Sequence, residues 1–78
     1  MTLYELPLGK ECYIKSVNTD VDIKRRMLDM GLIAGTKVKC MYVAPFGEPK
    51  AYLVRGTILA LRSDDTKKIK VIAGEKIE

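Results

Sequence analysis

The stretch KAYLVRGTILALR, residues 50–62, constrains the fold of this chain more than any other segment. Apolar residues fill both of its halves around a central Arg55-Gly56-Thr57, so the stretch predicts a β-hairpin that turns there. Alternation assigns one row of side chains to the core: Tyr52, Val54, Leu59 and Leu61. The opposite row is also apolar: Ala51, Leu53, Ile58 and Ala60. Such a row is either covered by the N-terminal segment or available as a contact surface.

The remaining segments complete a small β-rich fold. Alternating patterns predict strands over residues 10–17, 37–43 and 69–72. A helix is predicted from a cap at Thr19 or Asp20 to about Met30, and SDDTKK, residues 63–68, predicts a single helical turn. The fold class is therefore mainly β: an SH3-like antiparallel barrel of about five strands, formed by one domain over residues 1–78.

The same periodicities assign the inward-facing side chains. The first strand is expected to turn Cys12, Ile14 and Ser16 inward. The second strand is expected to turn Val38, Cys40 and Tyr42 inward. At about 100° per residue, the predicted helix places one stripe on the core: Ile23, Met27 and Met30.

Glycine and proline mark the predicted turns. Gly31 is expected to end the helix in the left-handed conformation, which costs glycine no steric strain. The segment APFGEP, residues 44–49, predicts a rigid loop that displays Phe46. The full set of predicted structural turn residues is Gly31, Gly35, Pro45, Gly47, Pro49 and Gly56.

Several chemistries are disfavoured by what the sequence lacks. The chain has no histidine, and its two cysteines, Cys12 and Cys40, do not form a Cys-x-x-Cys pair, so no dedicated metal site and no cofactor are expected. The same lack of histidine, together with carboxylates that show no paired arrangement, argues against an enzyme. Both cysteines fit an alternating strand pattern and are expected to be buried free thiols.

Composition also limits location and partners. No apolar run approaches the roughly 20 residues of a membrane span, and the N-terminus lacks the pattern of a secretory signal, so the chain is expected to be cytoplasmic. A net charge of +4 on a small barrel leaves nucleic-acid binding as an alternative, although the basic residues are spread over every segment. A monomer or a weak homo-oligomer is expected.

Around the predicted helix, several apolar side chains have no assigned place in the core. Val21 and Leu28 lie on a second stripe, and Leu32 or Ile33 follows in the turn. Arginine beside apolar residues is typical of protein interfaces, whereas pairing within the helix and packing against a neighbouring loop are the alternative explanation. The hypothesis names these partner-binding residues: Val21, Arg25, Arg26, Leu28, Leu32, Ile33, Phe46 and Arg55.

Four motifs, in order, resemble one known family. RRMLDMGLIAGTKV, APFGEP, VRGTILALR and IKV together are similar to the ferrous iron transport protein A family, FeoA. Two positions depart from its usual pattern: Ala34 replaces the more common proline, and Glu48 replaces the more common aspartate.

The resemblance implies an accessory protein of ferrous iron uptake with an SH3-like fold in the prokaryotic cytosol. It implies a partner, the membrane transporter FeoB with its cytosolic G-protein domain, through which alone the chain would approach the membrane. Transition-metal association comes with the family rather than with any residue of this chain. FeoA-like domains also end metal-dependent repressors, so a regulatory domain of that type is the alternative.

Overall fold

Five strands form one antiparallel sheet in the computed structural model, which describes residues 1–73. They are β1 (Glu11–Val17), β2 (Lys37–Val43), β3 (Lys50–Val54), β4 (Thr57–Leu61) and β5 (Ile69–Ala73), in the sheet order β4-β3-β2-β1-β5. A short 3₁₀ helix (Leu3–Glu5) precedes β1, helix α1 (Val21–Asp29) follows it, and the single turn α2 (Ser63–Thr66) precedes β5. The predicted mainly-β arrangement is confirmed, whereas the boundary predicted at residue 78 lies outside the described residues.

The hairpin of β3 and β4 follows from its sequence. Arg55 and Gly56 both have positive φ, 52° and 83°, as a two-residue type I′ turn requires. Val54 pairs with Thr57 across the turn, and the ladder continues without a break to the other end of both strands. The predicted core row is confirmed, because its members are buried or packed against the core: Tyr52, Val54, Leu59 and Leu61.

A β-bulge in β1 changes which residues face the core. The pairing of β1 with β5 shifts register between Ile14 and Ser16. After that shift Val17 is buried and Ser16 is only half-buried, so the predicted inward position of Ser16 is wrong. The extra residue of a bulge reverses the alternation that follows it.

A second bulge corrects the prediction for β2. Val38 and Cys40 are buried as predicted, but the pairing of β2 with β3 shifts register between Cys40 and Tyr42. Tyr42 is consequently 56% exposed, and Val43 takes the position against the core. The predicted core role of Tyr42 is therefore wrong.

Helix α1 contacts the core mainly through one side chain. Asp20 caps it, since the Asp20 carboxylate accepts the Ile23 N–H at 3.1 Å. Met27 is buried and Ile23 packs against the core, but Met30, which caps the C-terminal end of the helix, is 36% exposed. The core position predicted for Met30 is wrong. None of the helices in residues 1–73 has the length and apolar character that crossing a bilayer requires.

The N-terminal segment supplies core residues that the sequence pattern did not indicate. Leu3 and Leu6 are both buried, and the Tyr52 hydroxyl donates to the Leu3 carbonyl at 3.3 Å. The Lys50 ammonium donates to the carbonyls of Tyr4 at 2.6 Å and Leu6 at 3.3 Å, which fixes the segment to the start of β3. The segment therefore packs on the inner face of the hairpin and does not cover the outer apolar row.

Both cysteines lie in the barrel interior. Cys12 and Cys40 are buried and form no disulfide, as predicted. Burial, and secondarily the neighbouring Cys40 thiol, raises the pKa of Cys12 to about 11, so this thiol stays protonated near neutral pH.

Candidate functional site

Helix α1 ends in a Schellman motif that determines where Gly31 and Leu32 lie. The Gly31 N–H donates to the Leu28 carbonyl at 3.0 Å, and the Leu32 N–H donates to the Met27 carbonyl at 2.9 Å. Gly31 has φ of 92°, which confirms its predicted left-handed conformation. The motif turns Leu32 into the core, where its side chain is fully buried. The prediction that Leu32 contacts a partner is therefore wrong.

A groove runs between α1 and β1, beside the helix–strand junction. We call it the α1–β1 groove; its lining includes Lys15, Val17, Lys24, Leu28, Leu32 and Ile33. Leu28 is 45% exposed and Ile33 is 39% exposed, so both present apolar surface to solvent. Buried Val17 and Leu32 belong to the core beneath them. The groove thus has an apolar interior with an exposed lysine on each adjoining element.

Helical spacing extends this surface along α1. Val21, which is 69% exposed, precedes Leu28 by two helical turns and Arg25 by one. Lys24 precedes Leu28 by one turn. The exposed stripe on α1 therefore alternates apolar and cationic side chains beside the groove.

Arg26 lies on a different side of the helix. It lines a second groove, together with Ile23 and Met30 of the α1 segment and with Ala60 and Asp65. The sequence pattern placed Arg25 and Arg26 in one patch, but the structure does not bring Arg26 together with Leu28 and Ile33.

Arg55 connects the hairpin turn to the end of α1. Its side chain covers Gly31, where a Cβ atom would lie 2.9 Å from the Arg55 Cδ atom. Arg55 also lines an outer-face groove with Lys37, Lys39 and Leu53. It is exposed, but it does not line the α1–β1 groove.

Phe46 is displayed on a closed loop, away from both helix grooves. It is 98% exposed, which confirms the predicted display. The Gly47 N–H donates to the Ala44 carbonyl at 2.7 Å, the Ala44 N–H donates to the Pro49 carbonyl at 3.3 Å, and Gly47 has φ of 84°. These bonds close the predicted turn around Pro45 and hold Phe46 outward.

Glu48 ties the same loop to α2. Its carboxylate accepts a short hydrogen bond from the Ser63 N–H, at the start of that helical turn. Hydrogen bonds from the Ser63 side chain and, second, from its backbone hold the pKa of Glu48 below the ordinary value. A residue from the loop before β3 thus caps the turn that follows β4.

The exposed side chains of these surfaces are suited to binding another protein. Within residues 1–73, no three His, Cys, Asp or Glu side chains come together in a group that could hold a metal ion. Apolar side chains next to cationic ones suit contacts with another protein, because burial of the apolar atoms supplies affinity and the cations select a partner of opposite charge.

Sequence reasoning missed both lysines of the α1–β1 groove. Lys24 could have been found, because it lies four residues before Leu28 on the same helix. Lys15 gave no such signal, since its position depends on how the bulged strand β1 passes the helix.

Comparisons with known proteins identify relatives along nearly the whole chain. A family model described as the FeoA domain matches residues 1–73. The chain is 31% identical over 71 residues to the Fe(2+) transport protein A/Fe(2+) transporter FeoB fusion protein of Porphyromonas gingivalis. That alignment covers 91% of this chain and 8% of the fusion protein, so the chain spans only a small part of this relative.

Two solved structures share the fold. FeoA from Chlorobium tepidum, determined by solution NMR, matches with a TM-score of 0.91 and 32% identity, covering 100% of this chain and 74% of that chain. Stenotrophomonas maltophilia FeoA complexed with zinc, described as a prokaryotic SH3 domain protein, matches with a TM-score of 0.81 and 35% identity, covering 91% of this chain and 88% of that chain. The predicted SH3-like fold is confirmed.

Proposed function

This chain belongs to the FeoA domain family, which is associated with ferrous iron transport, and we propose that it is a cytoplasmic accessory protein of ferrous iron uptake. On this proposal it is a protein-interaction module rather than an enzyme. Its partner is the FeoB-like membrane transporter, bound at the cytosolic G-protein domain, and it reaches the membrane only through that partner.

The observation that carries the proposal is the fusion protein of P. gingivalis. Its name joins an Fe(2+) transport protein A to an Fe(2+) transporter FeoB in one chain. Covalent linkage raises the effective concentration of two modules that act together. A FeoA domain that is not fused to the transporter would need a binding surface to achieve the same association.

The exposed stripe of α1 and the adjoining groove are suited to be that surface. Val21, Leu28 and Ile33 are exposed apolar side chains, and the core of the described residues is formed without them. Arg25 on the same stripe can pair with carboxylates of a partner through two parallel hydrogen bonds. We assign Arg26, Arg55 and Phe46 to separate contacts, because each lies on a different part of the surface.

Residues 1–73, the part of the chain that the structure describes, form no cluster that would hold the zinc found in the S. maltophilia relative. The chain has no histidine, and Cys12 and Cys40, the two thiols, are buried. The raised pKa of Cys12 disfavours the thiolate that zinc would need. On the proposal, the role in iron uptake is exerted on the transporter.

Leu28→Glu tests the proposal, with Ile58→Glu as its matched control. Both replace an exposed aliphatic side chain, 45% and 54% exposed, with the same charge, but Ile58 lies on the outer face of the hairpin. Binding to the transporter's G-protein domain, measured by calorimetry with and without guanine nucleotide, should be lost for Leu28→Glu and kept for Ile58→Glu. Arg26→Ala should weaken binding less, because Arg26 lies outside the groove.

Circular dichroism must first establish that each variant is folded. If Leu28→Glu unfolds the domain, Leu28 is a structural residue and the proposed surface fails. If it folds and binds normally while Ile58→Glu does not, the outer row of the hairpin is the interface. A salt-dependent shift with oligonucleotides would favour the nucleic-acid alternative, for which the exposed Tyr42 and Phe46 rings are the available stacking groups.

A further inference from the structure

We propose that the α1–β1 groove receives an acidic segment of the partner protein, in which carboxylates flank at least one large apolar side chain. The inference rests on the proposed function, since it specifies what the transporter must present to this surface. It differs from that proposal in naming the chemistry of the partner segment and in assigning the selectivity to two lysines, Lys15 and Lys24.

The charge of the groove carries the first part of the inference. Lys15 on β1 and Lys24 on α1 are both exposed, and they are the only ionisable side chains among its described lining residues. The acidic residues of α1, Asp22 and Asp29, lie on another stripe of the helix, about 100° or more from both Lys24 and Leu28 at about 100° per residue. Among the described lining residues an approaching carboxylate therefore meets two cations and no like charge. The nearest acidic residue on that side of the helix is Asp20, one turn before Lys24, and its carboxylate caps α1 by accepting the Ile23 N–H.

The apolar surface between the lysines carries the second part. Leu28 and Ile33 are each less than half exposed, and Val17 and Leu32 are fixed in the core beneath them. A preformed apolar surface on a rigid base loses little entropy when a side chain binds to it. A large aliphatic or aromatic residue of the partner would bury this surface, while its acidic neighbours reach the lysines at either side.

The groove suits a protein segment better than a nucleic acid. None of its described lining residues carries an aromatic ring on which a base could stack, although stacking supplies much of the affinity for single strands. Two lysines also make a short cationic site compared with the basic track that a phosphate backbone follows. Leu28 and Ile33 instead favour an apolar side chain, which nucleic acids do not offer.

The decisive experiment reverses the two groove charges and compares the result with an equal reversal elsewhere. The test variant is Lys15→Glu/Lys24→Glu, and the matched control is Lys10→Glu/Lys37→Glu, which changes the net charge equally at exposed residues outside the groove. Each is titrated by calorimetry against the G-protein domain of the FeoB-like transporter. We expect Kd to rise by about tenfold or more for the groove variant and by about twofold for the control, since local pairing adds to long-range attraction.

Salt provides a second readout. Raising ionic strength from about 0.1 M to about 1 M shortens the Debye length from about 10 Å to about 3 Å, so wild-type affinity should fall. The affinity of the reversed variant should instead rise, because salt screens the repulsion between its glutamates and the acidic segment. The milder pair Lys15→Gln/Lys24→Gln should give an intermediate Kd and serves if the reversed pair does not fold.

The outcomes separate the two proposals. Wild-type binding with equal effects of the groove and control variants would overturn the acidic-segment inference and leave the proposed function standing. Absence of wild-type binding would overturn the proposed function and the inference with it. A single-stranded oligonucleotide that binds the wild type and not the groove variant would overturn the inference in favour of nucleic acid.

Discussion

The β3–β4 hairpin and the segment from α1 to Leu32 are anchored to the core in different ways. In the hairpin, the buried side chains are Tyr52 and Val54, at alternate positions of β3, and Leu61 at the end of β4. The nine residues of α1 contain one buried side chain, Met27, and the next follows only at Leu32. The hairpin is anchored at four core positions, whereas the helix segment is anchored mainly at two fully buried side chains, Met27 and Leu32, with Ile23 partly buried beside them.

This difference teaches where the molecule can carry a binding surface. A strand that alternates across a sheet fixes every second side chain, whereas a short helix held at two points leaves most of its circumference to solvent. Substitutions in the helix segment should therefore divide sharply into two large effects and many small ones. Substitutions in the hairpin should instead alternate along the strands.

Leu32→Ala should have the largest effect on stability of all the substitutions proposed, and it most directly tests how the helix segment is anchored. It removes a fully buried leucine, so the free energy of unfolding should fall by about 2–5 kcal/mol. Ile33→Ala, at the next residue, should change it by about 0.5 kcal/mol or less, because Ile33 is exposed. Urea denaturation followed by circular dichroism measures both.

Val54→Ala gives the corresponding loss of unfolding free energy for a buried residue of the hairpin. Val54 is also buried, but it loses fewer carbon atoms on substitution, so its effect should not exceed that of Leu32→Ala. Two-point anchoring of the helix segment would be refuted if Leu32→Ala and Ile33→Ala proved equally mild.

Gly31→Ala should give the next largest effect, at the place where the two regions touch. Alanine at positive φ is strained, so stability should fall by about 1 kcal/mol. The matched control is Gly35→Ala, which has nearly the same φ, 91°, but open space at the Cβ position. Gly31→Ala should lower stability more than Gly35→Ala, because the Cβ atom of an alanine at position 31 would contact the Arg55 side chain.

The Arg55→Ala background isolates that contact. There, the two alanine variants should destabilise equally, as measured by the shift in thermal midpoint. A difference that persists without the Arg55 side chain would mean that the helix end and the hairpin turn are not coupled through it.

Local patterns predicted the parts of the fold that local forces determine. The hairpin was predictable because Arg55-Gly56 supplies the turn and alternation supplies the rows. The start and end of α1 were predictable because Asp20 and Gly31 are a typical cap and a typical terminator.

Bulges and the N-terminal segment were not predictable by the same means. Ser16 and Tyr42 were assigned inward by strict alternation, but the closing of the sheet places bulges before both of them. Leu3 and Leu6 belong to a segment too short for a periodic signal. The spacing of Thr2 and Glu5 was available as a capping signature, since the Glu5 carboxylate accepts the Thr2 N–H at 2.7 Å.

The candidate site was predicted as a set of residues but not as a geometry. The exposure of Val21 and Leu28 follows from helical periodicity and is confirmed. Leu32 was misassigned although the Schellman motif has a known preference for an apolar residue at that position, which packs back against the helix. The separation of Arg26 from Leu28, and the presence of Lys15, depend on how the helix lies on the sheet, which no local pattern encodes.

Glu48→Gln should give the smallest effect, and it tests whether the hairpin is also held at its open end. The Glu48 carboxylate joins the loop before β3 to the Ser63 N–H after β4, and hydrogen bonds from Ser63 hold its pKa below the ordinary 4.5. Because the folded-state pKa is the lower one, the stabilisation is complete above about pH 4.5 and is lost as pH falls through the folded-state pKa. The carboxylate is exposed, so water screens the interaction, and the loss of folding stability in Glu48→Gln at neutral pH should be slight.

An NMR titration should show the Ser63 amide resonance of the wild type moving with a midpoint below 4.5, and the movement should be absent in Glu48→Gln. Glu48→Asp keeps the charge on a shorter side chain and should retain part of the shift. A wild-type Ser63 resonance that titrates at or above 4.5 would show that the loop and α2 are not joined by this carboxylate.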